Sequence, residues 1–146
     1  LTIDADLSEA SLEDLLIQIR KATDNVGNRI NLQPSKLLYA PDNVYNAERI
    51  LGSELQNDTA NNATNALRSK GKIPYHMDNP YLDDADAWFV LTDIANTEEG
   101  LVHLQRKPFE MDMDKDGDTL NEKHFGYERY SRTMNDHRAI FGSQGA

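Results

Sequence analysis

The sequence predicts an α+β fold, and three observations carry that expectation. Leu12, Leu15, Leu16 and Ile19 recur at the i, i+3, i+4, i+7 spacing of a half-buried helix. Ile30 to Leu51, INLQPSKLLYAPDNVYNAERIL, packs a strand, a proline stop and a second helix into one block. Beyond Ala87, continuous apolar runs and period-two alternation replace the helical spacing. Helix, strand, helix and then mainly strands is the order of an α+β domain.

Ser8 or Ser11 opens the first helix, and Ser11 with Asp14 three residues later approximates a capping box. Arg20 and Lys21 suit the negative end of its dipole. Thr23 to Asn28 is turn chemistry. Lys36 to Ala40 is an apolar run of strand length, and Pro41 ends it because proline has no amide hydrogen for a ladder. Asp42 is placed to cap the helix whose face is Val44, Ala47, Ile50 and Leu51.

Gln56 to Ala66, rich in Asn, Ala and Thr, reads as an exposed, mobile loop. Lys72 to His76 is a short strand interrupted by Pro74. Ala87 to Leu91 has the unbroken apolar character of a strand buried on both faces. A turn at Asn96 to Gly100 then leads into Leu101 to Lys107, with Val102 and Leu104 on one face, and the two strands read as a hairpin. Asp112 to Thr119 is an acidic loop, and Phe125 to Thr133 alternates as a strand. After a turn at Asn135-Asp136, His137 to Phe141 makes the last strand.

The chain has 146 residues, which suits one domain or one domain with an extension. A chain of this length buries roughly two-thirds of its unfolded surface. Its net charge is -10, and Asp78 to Asp118 holds twelve acids against three Lys or Arg. That excess opposes direct nucleic-acid binding, sequence-specific binding included, because basic surface drives the affinity, and it repels anionic membranes. The absence of cysteine excludes disulfides and thiolate metal sites. No apolar run approaches 18 residues, so no spanning helix is expected. No signal peptide is visible, so the sequons at Asn57 and Asn62 read as chance matches. Leu1 is not an initiator methionine, which is expected of a piece trimmed from a longer protein.

Asp112, Asp114, Asp116 and Asp118, with Gly117, resemble the opening of a calcium loop, where a tight turn converges alternate carboxylates on one hard cation. The remainder of such a loop is missing. Lys123 occupies the position of the bidentate Glu, Thr119 the apolar position, and Pro108 interrupts the helix that should precede. A solvated acidic loop is the preferred reading, with a small calcium-binding module as the alternative. His76, His103, His124 and His137 form no close pair, which argues against zinc. Ser8, Ser11, Ser53 and Ser69 lack a nucleophile setting. Asp83, Asp84 and Asp86 read as a charged turn, and Trp88 and Phe89 as core. Arg129, Arg132 and Arg138 are expected to pair with carboxylates within or between subunits. No catalytic residue, cofactor or enzymatic activity is expected.

Three ordered blocks then resemble the C-terminal part of the tailed-phage major capsid proteins of the Hong Kong 97-type fold, similar to Mu-like prophage head subunits. They are Ser11 to Leu51 with Leu37-Leu-Tyr-Ala-Pro41; Pro80-Tyr-Leu-Asp-Asp84 with Ala87-Trp-Phe89; and Phe125-Gly-Tyr-Glu-Arg-Tyr-Ser-Arg132 with Asn135-Asp-His-Arg-Ala-Ile-Phe-Gly142. The resemblance implies an axial-domain-like part at 1–99, with helices on a small central sheet. It also implies peripheral-domain-like strands at 100–146, whose long hairpin has its acidic tip at 110–120 and reaches neighbouring subunits. The family's N-terminal arm, extended loop and spine helix would lie upstream. Self-assembly into pentamers and hexamers of an icosahedral head follows as an expectation. Scaffolding or decoration proteins are implied as further partners, and the virion, with the host cytoplasm during assembly, as the location.

Overall fold

The computed structural model describes residues 5–56 and 63–145. Its helices are α1 (Glu9–Arg20), α2 (Val44–Gly52) and α3 (Ala66–Ser69). Its strands are β1 (Pro34–Tyr39), β2 (Tyr75–Asp78), β3 (Trp88–Thr92), β4 (Leu101–Lys115), β5 (Glu122–Met134) and β6 (Ile140–Ser143). Four strands form one sheet in the order β2-β1-β3-β6, while β4 and β5 form a separate ribbon. The architecture is mixed α+β.

Ser8 caps α1. Its hydroxyl accepts from the Ser11 amide at 3.2 Å, and its own amide donates to Ser11 Oγ at 3.0 Å. The box therefore closes on Ser11, the third helical residue, and not on Asp14. The stripe Leu12, Leu15, Leu16 and Ile19 is buried along with Ser11. Arg20 donates to Asn31 Oδ1 at 2.6 Å and to the Leu32 carbonyl at 3.0 Å, which ties the last turn of α1 to the approach of β1. The turn between them is organised by Asp24, whose carboxylate accepts from the Val26 and Asn28 amides at 2.8 Å each. The Asn28 amide contributes most to holding the Asp24 carboxyl below its ordinary value.

β1, β3 and β6 share one buried face, while β2 at the edge is exposed throughout. Leu37 stands opposite Val90 and Val90 opposite Phe141; Tyr39 stands opposite Trp88 and Trp88 opposite Ser143. Directly opposed residues share a face, and all six are buried. The apolar five join the α1 stripe in one core. Two buried polar groups share one acceptor: Trp88 Nε1 and Ser143 Oγ both donate to the Ala5 carbonyl, at 3.0 and 2.8 Å. The other face of β3, Phe89 and Leu91, is only half-buried, so the expected two-sided burial is not what the strand has. On that face the Phe89 ring lies over Gly142, where a Cβ would come within 2.3 Å of it.

Several boundaries differ from the sequence reading for physical reasons. Asp42 does not cap α2. Pro41–Asn43 forms a 3-10 turn that runs into the helix, and neither receives a side-chain cap. Asn43 instead donates its side-chain amide to the Ala85 carbonyl at 2.8 Å. β2 begins after Pro74 and pairs in parallel with β1, since the proline has no amide to offer. His137–Ala139 is another 3-10 turn, capped by Asp136 at 2.8 Å from the Arg138 amide, and the last strand starts only at Ile140. The loop expected over Gln56 to Ala66 lies largely outside the described residues, as do Asn57 and Asn62. Next to it, Asn65 caps α3 by accepting from the Leu67 amide at 3.0 Å.

The hairpin expected between Ala87–Leu91 and Leu101–Lys107 does not form. β3 lies between β1 and β6, and β4 pairs with β5 alone. Ile140–Ser143 returns to the body as the edge strand beside β3, so the division expected at Gly100 runs through this sheet. The ribbon joins the body at Gly100, whose carbonyl accepts from the Asn135 amide at 3.0 Å. A Cβ at Gly100 would sit 2.1 Å from the Ile94 carbonyl oxygen, so only glycine fits under the 3-10 turn Asp93–Asn96.

Candidate functional site

β4 and β5 form an antiparallel ribbon of 15 and 13 residues. Almost every residue in it is exposed on both faces, and none belongs to the core. Apart from their mutual pairing, the strands touch the body chiefly at the 3-10 turn beneath Gly100. A lone two-stranded hairpin is marginally stable in water, so the cross-strand pairs on this ribbon matter.

Pro108 sets the geometry. The register shifts between Gln105 and Lys107 and again between Lys107 and Glu110. Proline cannot donate to a ladder, and a bulge is where a strand accommodates it. The second bulge brings Lys107, Glu110 and Tyr127 together. Lys107 Nζ donates to Tyr127 Oη at 2.6 Å and lies 3.0 Å from Glu110 Oε2, and Tyr127 Oη donates to Glu110 Oε2 at 2.9 Å. The Tyr127 hydrogen bond and then Glu110 hold the Lys107 ammonium above its ordinary value. The Lys107 hydrogen bond and then Tyr127 hold the Glu110 carboxyl below its own. The triad is exposed, so solvent screening keeps its contribution small. Across the ribbon the Phe109 ring covers Gly126, repeating the arrangement of Phe89 on Gly142.

The acidic segment is not a loop over Asp112 to Thr119. β4 continues through Lys115, with Asp114 opposite Lys123 and Lys115 opposite Glu122. These opposite-charge pairs extend the ladder through residues that otherwise disfavour strands. The tip is Asp116 to Asn121, closed by the Asp116 amide on the Asn121 carbonyl at 3.0 Å. Asp116 is engaged by Lys123 at 3.1 Å, which is the leading reason its carboxyl is held below its ordinary value. Asp112 and Asp114 lie along an extended strand, roughly 7 Å apart in rise. Asp112, Asp114, Asp116 and Asp118 thus do not converge, and among the described residues no three acidic or histidine side chains form a metal-holding group.

The other candidates are scattered. His76 contacts Glu48 at 3.1 Å, His103 lies against Tyr130, and His137 is 3.6 Å from Asp136. His124 stands opposite Met113 on the ribbon. Asp83, Asp84 and Asp86 sit in an exposed turn. Arg138 pairs with Asp136 at 3.3 Å within the chain. Arg132 lies over the Tyr130 ring at 5.1 Å, and Arg129 faces Lys107 rather than a carboxylate. Lys107, Glu110 and Tyr127 were not legible as a set, because the bulge that joins them depends on the register. No helix among the described residues is long and apolar enough to cross a membrane.

Apolar side chains stand in the open along the ribbon: Phe109 is 60% exposed, Met111 69%, Met113 68% and Leu120 69%. Leu120 also has a φ of +58°, a left-handed conformation that costs a branched side chain roughly 1–2 kcal/mol. The ribbon is an arm with apolar and acidic side chains interleaved towards its end. The chain matches no protein-family model, and neither a curated protein nor a solved structure matches it.

Proposed function

We infer that the chain is part of a structural, self-assembling subunit, a major capsid protein of the tailed-phage type with the Hong Kong 97-type fold. On this reading the helices and four-stranded sheet correspond to the axial part and the ribbon to the peripheral hairpin. The single observation that carries it is the β4–β5 ribbon, two long strands that add no side chain to the core among the described residues. A marginal element with exposed apolar side chains is what an assembly interface would use, since association supplies the burial that the monomer lacks. The ordered sequence blocks point the same way.

Pentamers and hexamers of the same chain are the proposed partners, the virion is the proposed location, and packaged nucleic acid is not bound by sequence. The test is electron microscopy with light scattering on the full-length protein. Closed shells or capsomer rings are expected. A protein that stays monomeric under every assembly condition tried would overturn the reading.

A further inference from the structure

The body carries a small apolar pocket at the C-terminal turn of α1. Leu16, Ile17 and Pro34 form it, and Arg20, Lys21 and Lys72 stand around its edge. Its volume is about 250 Å3, below the roughly 300–1,000 Å3 of small-molecule sites and closer to side-chain size. Arg20 is fixed at the rim by Asn31 and the Leu32 carbonyl. Lys21 and Lys72 have no ion pair among the described residues. The rim itself has no acid; Glu13 and Asp14 lie about one turn back along α1. An apolar floor with three cations around it in a chain of net charge -10 is a local reversal of the molecule's field.

The ribbon's tip is its complement. From Glu110 to Glu122 there are six acids and one lysine, with Met111, Met113 and Leu120 exposed among them. Leu120 projects from a left-handed position where glycine or asparagine would be unstrained. A strained, exposed leucine gains nothing inside its own chain, and such outliers mark functional positions. The 15 residues of β4 span roughly 50 Å, while a body of about 100 residues has a radius of gyration of roughly 13 Å. Exposed on both faces, the ribbon does not lie back on its own body.

We propose that this pocket receives the hairpin tip of a second copy of the chain, with Leu120 over Leu16, Ile17 and Pro34, and Asp114 and Asp118 against Lys21 and Lys72. The proposal rests on the self-assembling reading and deepens it. Tip and pocket are different surfaces, so the contact is head-to-tail and propagates into rings or larger arrays, unlike a closed twofold pair.

The test uses two charge-reversed forms of the full-length protein, followed by sedimentation velocity and electron microscopy. One carries Asp114→Lys with Asp118→Lys, the other Lys21→Glu with Lys72→Glu. Each alone should self-associate at least about tenfold more weakly than the parent, because like charges then meet at the contact. Mixed together they should associate again, since each basic tip finds an acidic pocket and each acidic tip a basic one. Leu120→Gly relieves the backbone strain and removes the knob. It should weaken association while leaving the unfolding transition unchanged or raised. Parent-like assembly by either reversed form alone, or failure of the mixture to recover while both forms remain folded by circular dichroism, overturns the pocket assignment and leaves self-assembly standing. A parent protein that never associates overturns both.

Discussion

The body and the ribbon are built on opposite principles. In the body, Trp88, Leu12, Leu15, Ile19, Leu37 and Val90 are fully buried, and one sheet face with one helix stripe encloses them. Burial of that kind supplies the hydrophobic term that offsets chain entropy. The ribbon spends 28 residues without adding one side chain to the core. It is held by ladder hydrogen bonds, ring-over-glycine packing and surface charge pairs, each weak in water. The same chain thus combines a part with its own core and a part whose apolar side chains stay largely exposed among the described residues. That asymmetry motivates the assembly reading.

The largest effect should come from the body. Trp88→Ala removes the biggest buried side chain and its hydrogen bond to Ala5, and should cost about 3–5 kcal/mol in denaturant unfolding. A loss under ~1 kcal/mol would mean that the core is not organised around β3. Next is the joint. Gly100→Ala drives a Cβ into the Ile94 carbonyl, and about 1–3 kcal/mol of destabilisation is expected. Amide exchange should accelerate first at the ribbon's base. If it accelerates in α1 instead, ribbon and body are coupled more tightly than the contrast allows.

On the ribbon, Met111→Ser with Met113→Ser should alter monomer stability by no more than ~0.5 kcal/mol, since neither side chain is buried. The same pair should weaken assembly. A large stability loss would show that the ribbon supports the fold it stands on.

The smallest effect is that of pH on the ribbon alone. Glu110 and Asp116 bind protons less readily folded than unfolded, so their contribution is complete above the ordinary Glu value of 4.5 and fades as pH falls through the lowered values. Lys107 is shifted the other way. Its contribution is present below its ordinary 10.5 and is lost as pH rises beyond the raised value. Ribbon amides in an NMR titration should therefore be best ordered between those limits. Equal order at pH 3 and pH 7 would remove the triad and the Asp116–Lys123 pair from the account.

What was legible in the sequence was what local periodicity encodes. The α1 stripe, the strand before Pro41, the helix face after it and the apolar character of β3 all follow from spacing within a dozen residues. Strand partners did not follow. β3 pairs with β1 and β6, both distant in sequence, and nothing in Trp88 to Leu91 specifies which strand it meets. The acidic segment misled for a related reason. Aspartates at alternate positions disfavour a strand on their own, and only register shows that Lys123 and Glu122 stand opposite Asp114 and Lys115. The α1 pocket was equally hidden, because Lys72 joins Arg20 and Lys21 only through folding.

The contrast between body and ribbon is tested most directly by hydrogen exchange on the full-length protein, dissociated and assembled. In the dissociated subunit the amides of β4 and β5 should exchange far faster than those of β1 and β3. On assembly, protection should rise in the ribbon, most towards Asp116–Asn121, and beside the α1 pocket, while the core stays as it was. Ribbon amides already as protected as the core in the free subunit, or unchanged on assembly, would contradict the account.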